Sequence, residues 1–147
     1  MTGLTVALAL QISLLSTQAQ PYGEAHEASL ASGRPLVVLV GTDWCPGCRR
    51  MKGDVMPQAE ADGLLDDVHF AIVDSDRQPT LARRLMRGGS IPQLVVFHQT
   101  AEGWKSRRMI GAQSLSTIAE AVGAAVSESE ATAGVAPKKK VSPTANR

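Results

Sequence analysis

The chain has almost no sulfur to pair. Its 147 residues hold two cysteines, Cys45 and Cys48, both in the stretch "WCPGC". A bridge between positions so close closes too small a loop to restrain an unfolded chain, because disulfide stabilisation grows with loop length. A structural staple is thereby excluded, leaving redox chemistry, half of a metal site, or chance. Histidine is scarce as well. His26, His69 and His98 are scattered, each reading as a surface or strand residue, whereas a complete zinc site needs four ligands. Charge of one sign is missing too: a formal net charge of +1 supplies no basic field for nucleic acid. No apolar run reaches the ~20 residues that span a bilayer.

What is present suits one domain with a real core. At 44% hydrophobic and 20% charged residues the composition is that of a soluble globular chain. The ends differ from the middle. Leu4–Leu15, "LTVALALQISLL", is apolar and uncharged, and Thr17-Gln18-Ala19 follows it as a small-residue cleavage site. Residues 1–19 therefore read as a secretory signal peptide, although no Lys or Arg precedes the apolar run; the alternative is a buried N-terminal helix or strand. Export places the mature protein in an oxidising compartment, periplasmic or secreted, with no stable membrane insertion once the signal is removed. At the other end, residues 127–147, "SESEATAGVAPKKKVSPTANR", hold almost no large apolar side chain and read as a disordered tail. Its Lys138, Lys139 and Lys140 form a solvated charge run that can also touch an anionic surface.

Between these ends, residues 20–126 alternate helix and strand signals. Tyr22–Ser32 reads as a helix stopped by Gly33. Leu36–Val40, "LVVLV", is a continuous β-branched apolar run that fits a strand buried on both faces. A helix begins at Pro46, where proline's missing N–H is no loss; Gly53 and Pro57 are expected to interrupt it before a second piece, Ala59–Leu65. Strands follow at Val68–Val73, Ile91–Phe97 and Trp104–Ile110, with a helix over Pro79–Arg87 and a turn at "TAEG". Leu115, Ile118, Ala119, Val122 and Val126 give a last helix, Ser114–Val126, its apolar stripe. The alternation implies parallel pairing, and the tight last turn implies one antiparallel hairpin. The fold class is α/β, a mixed central sheet between helices on both faces, with no internal repeat.

The cysteine pair follows the first strand and opens a helix. There, backbone N–H groups and the positive dipole end favour a thiolate, the attacking species. Cys45 sits at the helix start and Cys48 one turn in, which suits a nucleophile and a resolving thiol. Arg49, Arg50 and Lys52 add positive charge nearby. On these residues the chain resembles the thioredoxin fold family over about Tyr22–Val126. "WCPGC" is similar to the family's Trp-Cys-x-x-Cys site, and "GGSIPQLVVF", Gly88–Phe97, to the segment whose proline is cis and faces the sulfurs. "IVDSD", Ile72–Asp76, and "MIGAQS", Met109–Ser114, fall where that family has strand ends. "DWCPGCRRMKGDVMP" also looks like the secreted group allied to periplasmic DsbD-type electron carriers.

The resemblance implies a thioredoxin-like three-layer sandwich and a thiol–disulfide oxidoreductase with no cofactor and no metal. Its catalytic residues are Cys45 and Cys48, and Trp44, Ile91, Pro92 and Gln93 line the surface that binds substrate. Partners are protein disulfide or dithiol clients and a redox-recycling protein, and the protein is expected to be a monomer. Two departures stand out. Pro46-Gly47 reverses the Gly-Pro of thioredoxin, and Leu39 occupies the strand position of its buried acid, leaving Asp43 or water to assist the proton of the resolving thiol. Two other function classes stay open: a binding or chaperone module on the same fold, and a periplasmic Cu(I)-handling protein using the dithiol as soft ligands. The lack of a Met-rich or His-rich run argues against copper.

Overall fold

The computed structural model describes residues 19–134; the expected export segment up to Gln18 and the lysine run lie outside them. Helix α1 (Tyr22–Ser32) ends at Gly33, whose φ of 73° places it in the left-handed region that glycine tolerates. Strand β1 (Leu36–Gly41) is buried along its whole length. Its residues alternate between two cores. Val37 and Leu39 face one layer with Met51, Leu94 and Ile118, and Leu36, Val38 and Val40 face the other with Ala25, Ala71 and Leu85. Each such side chain contributes roughly 1.5–3 kcal/mol on leaving water, so β1 is the spine of the domain.

The helical stretch after the cysteines runs without a break. Helix α2 (Pro46–Arg50) passes through a π-helical turn at Met51–Val55 into α3 (Met56–Ala61). The sequence expectation of an interruption at Gly53 and Pro57 is thus corrected. The widened turn, closed by the Met56 N–H on the Met51 carbonyl, absorbs Gly53 and leaves Pro57 in the first turn of α3, where no N–H is required.

Strand β2 (His69–Asp74), helix α4 (Pro79–Leu85), strands β3 (Gln93–Thr100) and β4 (Gly103–Ile110) and helix α5 (Leu115–Ala133) complete the order. Helix α4 stops at Leu85, two residues before the expected end, and β3 starts at Gln93, so Ile91 and Pro92 belong to the loop before it. The sheet order is β2-β1-β3-β4. Among the named strands only β1 and β2 pair in parallel; β3 is antiparallel to both β1 and β4, where alternation alone implied parallel pairing. Gln93 pairs with Val40 and Asp74 with Gly41, so the chain re-enters the sheet at the end it left. That gathers the end of β1, the end of β2, the start of β3 and the end of β4 along one edge.

The last helix also exceeds its expected boundary. Residues 127–133, read as the start of a disordered tail, continue α5. Ser129 is buried and its Oγ accepts the Gln99 N–H at 3.2 Å, while Glu128 Oε2 lies 2.8 Å from the buried His98 Nε2. Polar contacts with β3 hold this turn where apolar ones are absent. Strand β4, by contrast, is exposed over most of its length and forms one edge of the sheet. No helix among the described residues is long and apolar enough to cross a membrane.

Candidate active site

The site is built where β1 runs out. Cys45 is the N-cap of α2, with extended backbone (φ −77°, ψ 122°), and its sulfur accepts the Cys48 N–H at 3.3 Å. Both thiols are free; Cys45 is 7% exposed and Cys48 0%. Cys45 is thus the only one of the two with any exposed surface. Burial pushes the Cys48 thiol up to about 11, helped by its hydrogen bond with Cys45; the Thr42 backbone N–H and the Lys52 charge pull the other way and do not prevail.

Space for Cys48 comes from Gly41. A Cβ at that position would sit 2.6 Å from the Cys48 Sγ and 3.0 Å from its Cβ. Any side chain there would drive the second thiol out of place. Nothing in the sequence flagged Gly41 beyond its position after the apolar run.

The loop before β3 supplies the opposite wall. The Ile91–Pro92 peptide is cis, and the Cys45 thiol donates to the Ile91 carbonyl oxygen at 3.9 Å. Pro92 is buried; a Cβ on Gly47 would come within 3.1 Å of its Cδ and 3.8 Å of the Ala112 Cβ. The Pro92 carbonyl accepts the Gly111 N–H at 2.8 Å, which ties this wall to the end of β4. Trp44 lies outside it, 67% exposed, with its indole N–H donated to Asp76 Oδ2 at 2.7 Å. At that exposure the indole is surface rather than core.

Two expected residues are placed differently. Gln93, expected at the rim of the substrate groove, is fully buried and turned inward. Asp43 does not replace the missing buried acid. It is exposed, and its carboxylate is held below the usual range by a hydrogen bond from Lys52, at 2.9 Å, with Arg77 also near at 3.6 Å. Leu39, at the acid's position, is fully buried among apolar residues. The cation that bears on Cys48 is Lys52, opposed by the neighbouring Cys45, while Arg49 and Arg50 are exposed. Among the described residues no three of His, Cys, Asp and Glu gather into a metal-binding group.

A sulfur-capped helix facing a proline loop across a buried strand end has a counterpart among known families. A family model described as thioredoxin-like matches residues 18–99, more than half of the chain. The chain belongs to the thioredoxin-like family. Among solved structures, this thioredoxin-like chain is similar to a thioredoxin from Thermus thermophilus, with 27% identity, a TM-score of 0.61, and coverage of 75% of this chain and 87% of that one. It is also similar to Trxlp from Edwardsiella tarda, with 27% identity, a TM-score of 0.56, and coverage of 71% and 98%. Chloroplastic thioredoxin z shares the fold at 23% identity and a TM-score of 0.59, over 78% of this chain and 94% of its own. No curated protein sequence matches the thioredoxin-like chain.

Proposed function

We propose that the chain is a thiol–disulfide oxidoreductase that exchanges electrons with protein clients through Cys45 and Cys48. The observation that carries this reading is the helix-capping Cys45 sulfur beside the Ile91 carbonyl, with Cys48 buried one turn behind it. The Cys45 thiolate attacks one sulfur of a client disulfide. The client S–S bond breaks, a Cys45–client bond forms, and the other client sulfur leaves as a thiolate that takes up a proton. Cys48 then gives up its proton and attacks the Cys45 Sγ, so that the mixed disulfide breaks and a Cys45–Cys48 bond forms. The client gains two electrons and two protons; the dithiol loses the same. Run backwards, the steps oxidise a client, and the pair's potential against that of the compartment sets the direction. The second step has the harder proton, since burial holds it on Cys48, and the field of Lys52 eases its loss.

Residues 1–19 and the segment Asp43–Pro57 support a place for the mature chain in the periplasm or outside the cell, beside a DsbD-type recycling partner. Mass spectrometry of protein from the native host should then find a chain starting near Gln20 or Pro21, and an intact Met1 in the cytoplasm counts against export. The test of the chemistry is trapping. Cys48→Ser should accumulate mixed disulfides between Cys45 and clients, while Cys45→Ser accumulates none. Trapping by Cys48 alone reverses the roles. Cu(I) bound against a competing chelator, with no exchange, favours the copper-handling alternative. Client retention with neither activity favours the binding module.

A further inference from the structure

Gln93 is a buried polar side chain that the exchange steps do not use. It opens β3, opposite Val40 on one side and Ile110 on the other, with no exposed surface. A buried amide needs partners for its donors and acceptor, and all of those it finds lie in one loop. Its Oε1 accepts the Arg87 N–H at 3.1 Å, and its Nε2 donates to the Arg87 carbonyl at 2.9 Å and the Ser90 carbonyl at 2.8 Å. That loop is otherwise loosely tied. Arg87, Gly88, Gly89 and Ser90 are all exposed, Gly88 has a φ of 69°, and among the described residues no other hydrogen bond holds them. The next residue is Ile91, whose carbonyl meets the Cys45 thiol at 3.9 Å, the long end of a sulfur hydrogen bond. A small swing of the loop breaks that contact.

We propose that Gln93 is a positioning residue for client docking: by clamping Arg87 and Ser90 it fixes where the Ile91 backbone stands relative to the Cys45 sulfur. This rests on the thiol-exchange reading above. Among the described residues no hydrogen bond joins Gln93 to either sulfur, so its polar effect reaches the chemistry through the loop. A client that lays an extended backbone along Ile91 needs the loop in place. A small disulfide needs only the Cys45 sulfur. The residue therefore separates two classes of substrate that share one nucleophile.

The experiment compares the full chain with Gln93→Leu, which keeps bulk and removes all three hydrogen bonds. Second-order rate constants are measured with insulin, a protein disulfide, and with hydroxyethyl disulfide, at a temperature where both proteins are folded. The variant should lose roughly tenfold with insulin, within the 10²-fold that a misplacement of about 1 Å can cost, and keep its rate with hydroxyethyl disulfide. Equal losses on both substrates, or no loss on insulin, overturn the positioning role while leaving the exchange reading intact. A wild-type chain inactive on both substrates overturns the exchange reading and the docking role with it. If Gln93→Leu fails to fold, Gly88→Ala decides. A methyl group meets no atom within 4 Å there but the positive φ disfavours it, so the same loop is loosened from its exposed side, with the same selective loss expected and the same outcomes overturning it.

Discussion

Two helices of this chain start with the same device and put it to different uses. At α5 the Ser114 hydroxyl accepts the Thr117 N–H at 3.2 Å; at α2 the Cys45 sulfur accepts the Cys48 N–H at 3.3 Å. Both residues are extended N-caps whose side chain reaches the third residue on. Ser114 is exposed and shares its oxygen with the hydroxyls of Ser116 and Thr117. Cys45 is nearly buried and faced by the Ile91 carbonyl. An oxygen in this place satisfies an orphan donor and stops there. A sulfur caps less well, but it can attack a disulfide where an oxygen cannot. The capping geometry is thus generic, and the reactivity proposed for Cys45 rests on the atom and on the wall opposite it.

Four measurements break or sharpen that contrast. The largest effect is expected from Cys45→Ser, which should remove all measurable disulfide exchange yet leave the fold at least as stable in denaturant titration, since serine is the better cap. A protein unfolded by this change would mean the sulfur is structural. Next comes Gly41→Ala. Its methyl group would lie 2.6 Å from the Cys48 Sγ, and such overpacking costs roughly 1–3 kcal/mol. Urea denaturation should show that loss, and single-turnover kinetics should show a slower release of client from Cys45. A variant as stable and as fast as the parent would mean that Cys48 moves freely.

Ser114→Ala should cost less, about 1 kcal/mol for a lost cap, with exchange rates unchanged. Any drop in exchange would show that α5 and the site are coupled. The smallest effect is on pH. The folded Cys48 thiol titrates at about 11 against 9.0 for the free group, so the folded state holds its proton more tightly than the unfolded one. That contribution is complete below pH 9 and is lost as pH rises through about 11. Stability of the dithiol form should fall across this window, and Cys48→Ala should flatten the fall. An equal slope in both proteins would remove Cys48 as its source.

How much of this was legible before the fold depends on where each signal is stored. Leu36–Val40 and the Cys45–Cys48 spacing are local patterns, and the structure keeps the buried strand and the helix start where they were expected. The cis Ile91–Pro92 bond was legible only through family resemblance. Gln93 was misplaced because a glutamine beside a proline looks solvent-facing until the loop that takes up its amide is known. Asp43 was a candidate proton acceptor by proximity in sequence, and only the fold shows its carboxylate turned to Lys52 and Arg77. The far end of α5 was lost for a similar reason. Ser129 and Glu128 carry no apolar signal, and the partners that order them, Gln99 and His98, lie on β3.

The exposed edge strand has a consequence for crowded surroundings. β4 carries the exposed Lys105 and Arg107 at this edge of the sheet, while Arg108 folds back to donate to the Leu85 carbonyl. Unpaired strand margins template the addition of foreign chains, and cations on such a margin are a common safeguard against it. If the chain exchanges thiols with partly unfolded clients, as proposed above, it meets many extended segments looking for a sheet to join. Here the charged flank works against their lengthening the sheet at β4 and seeding aggregates.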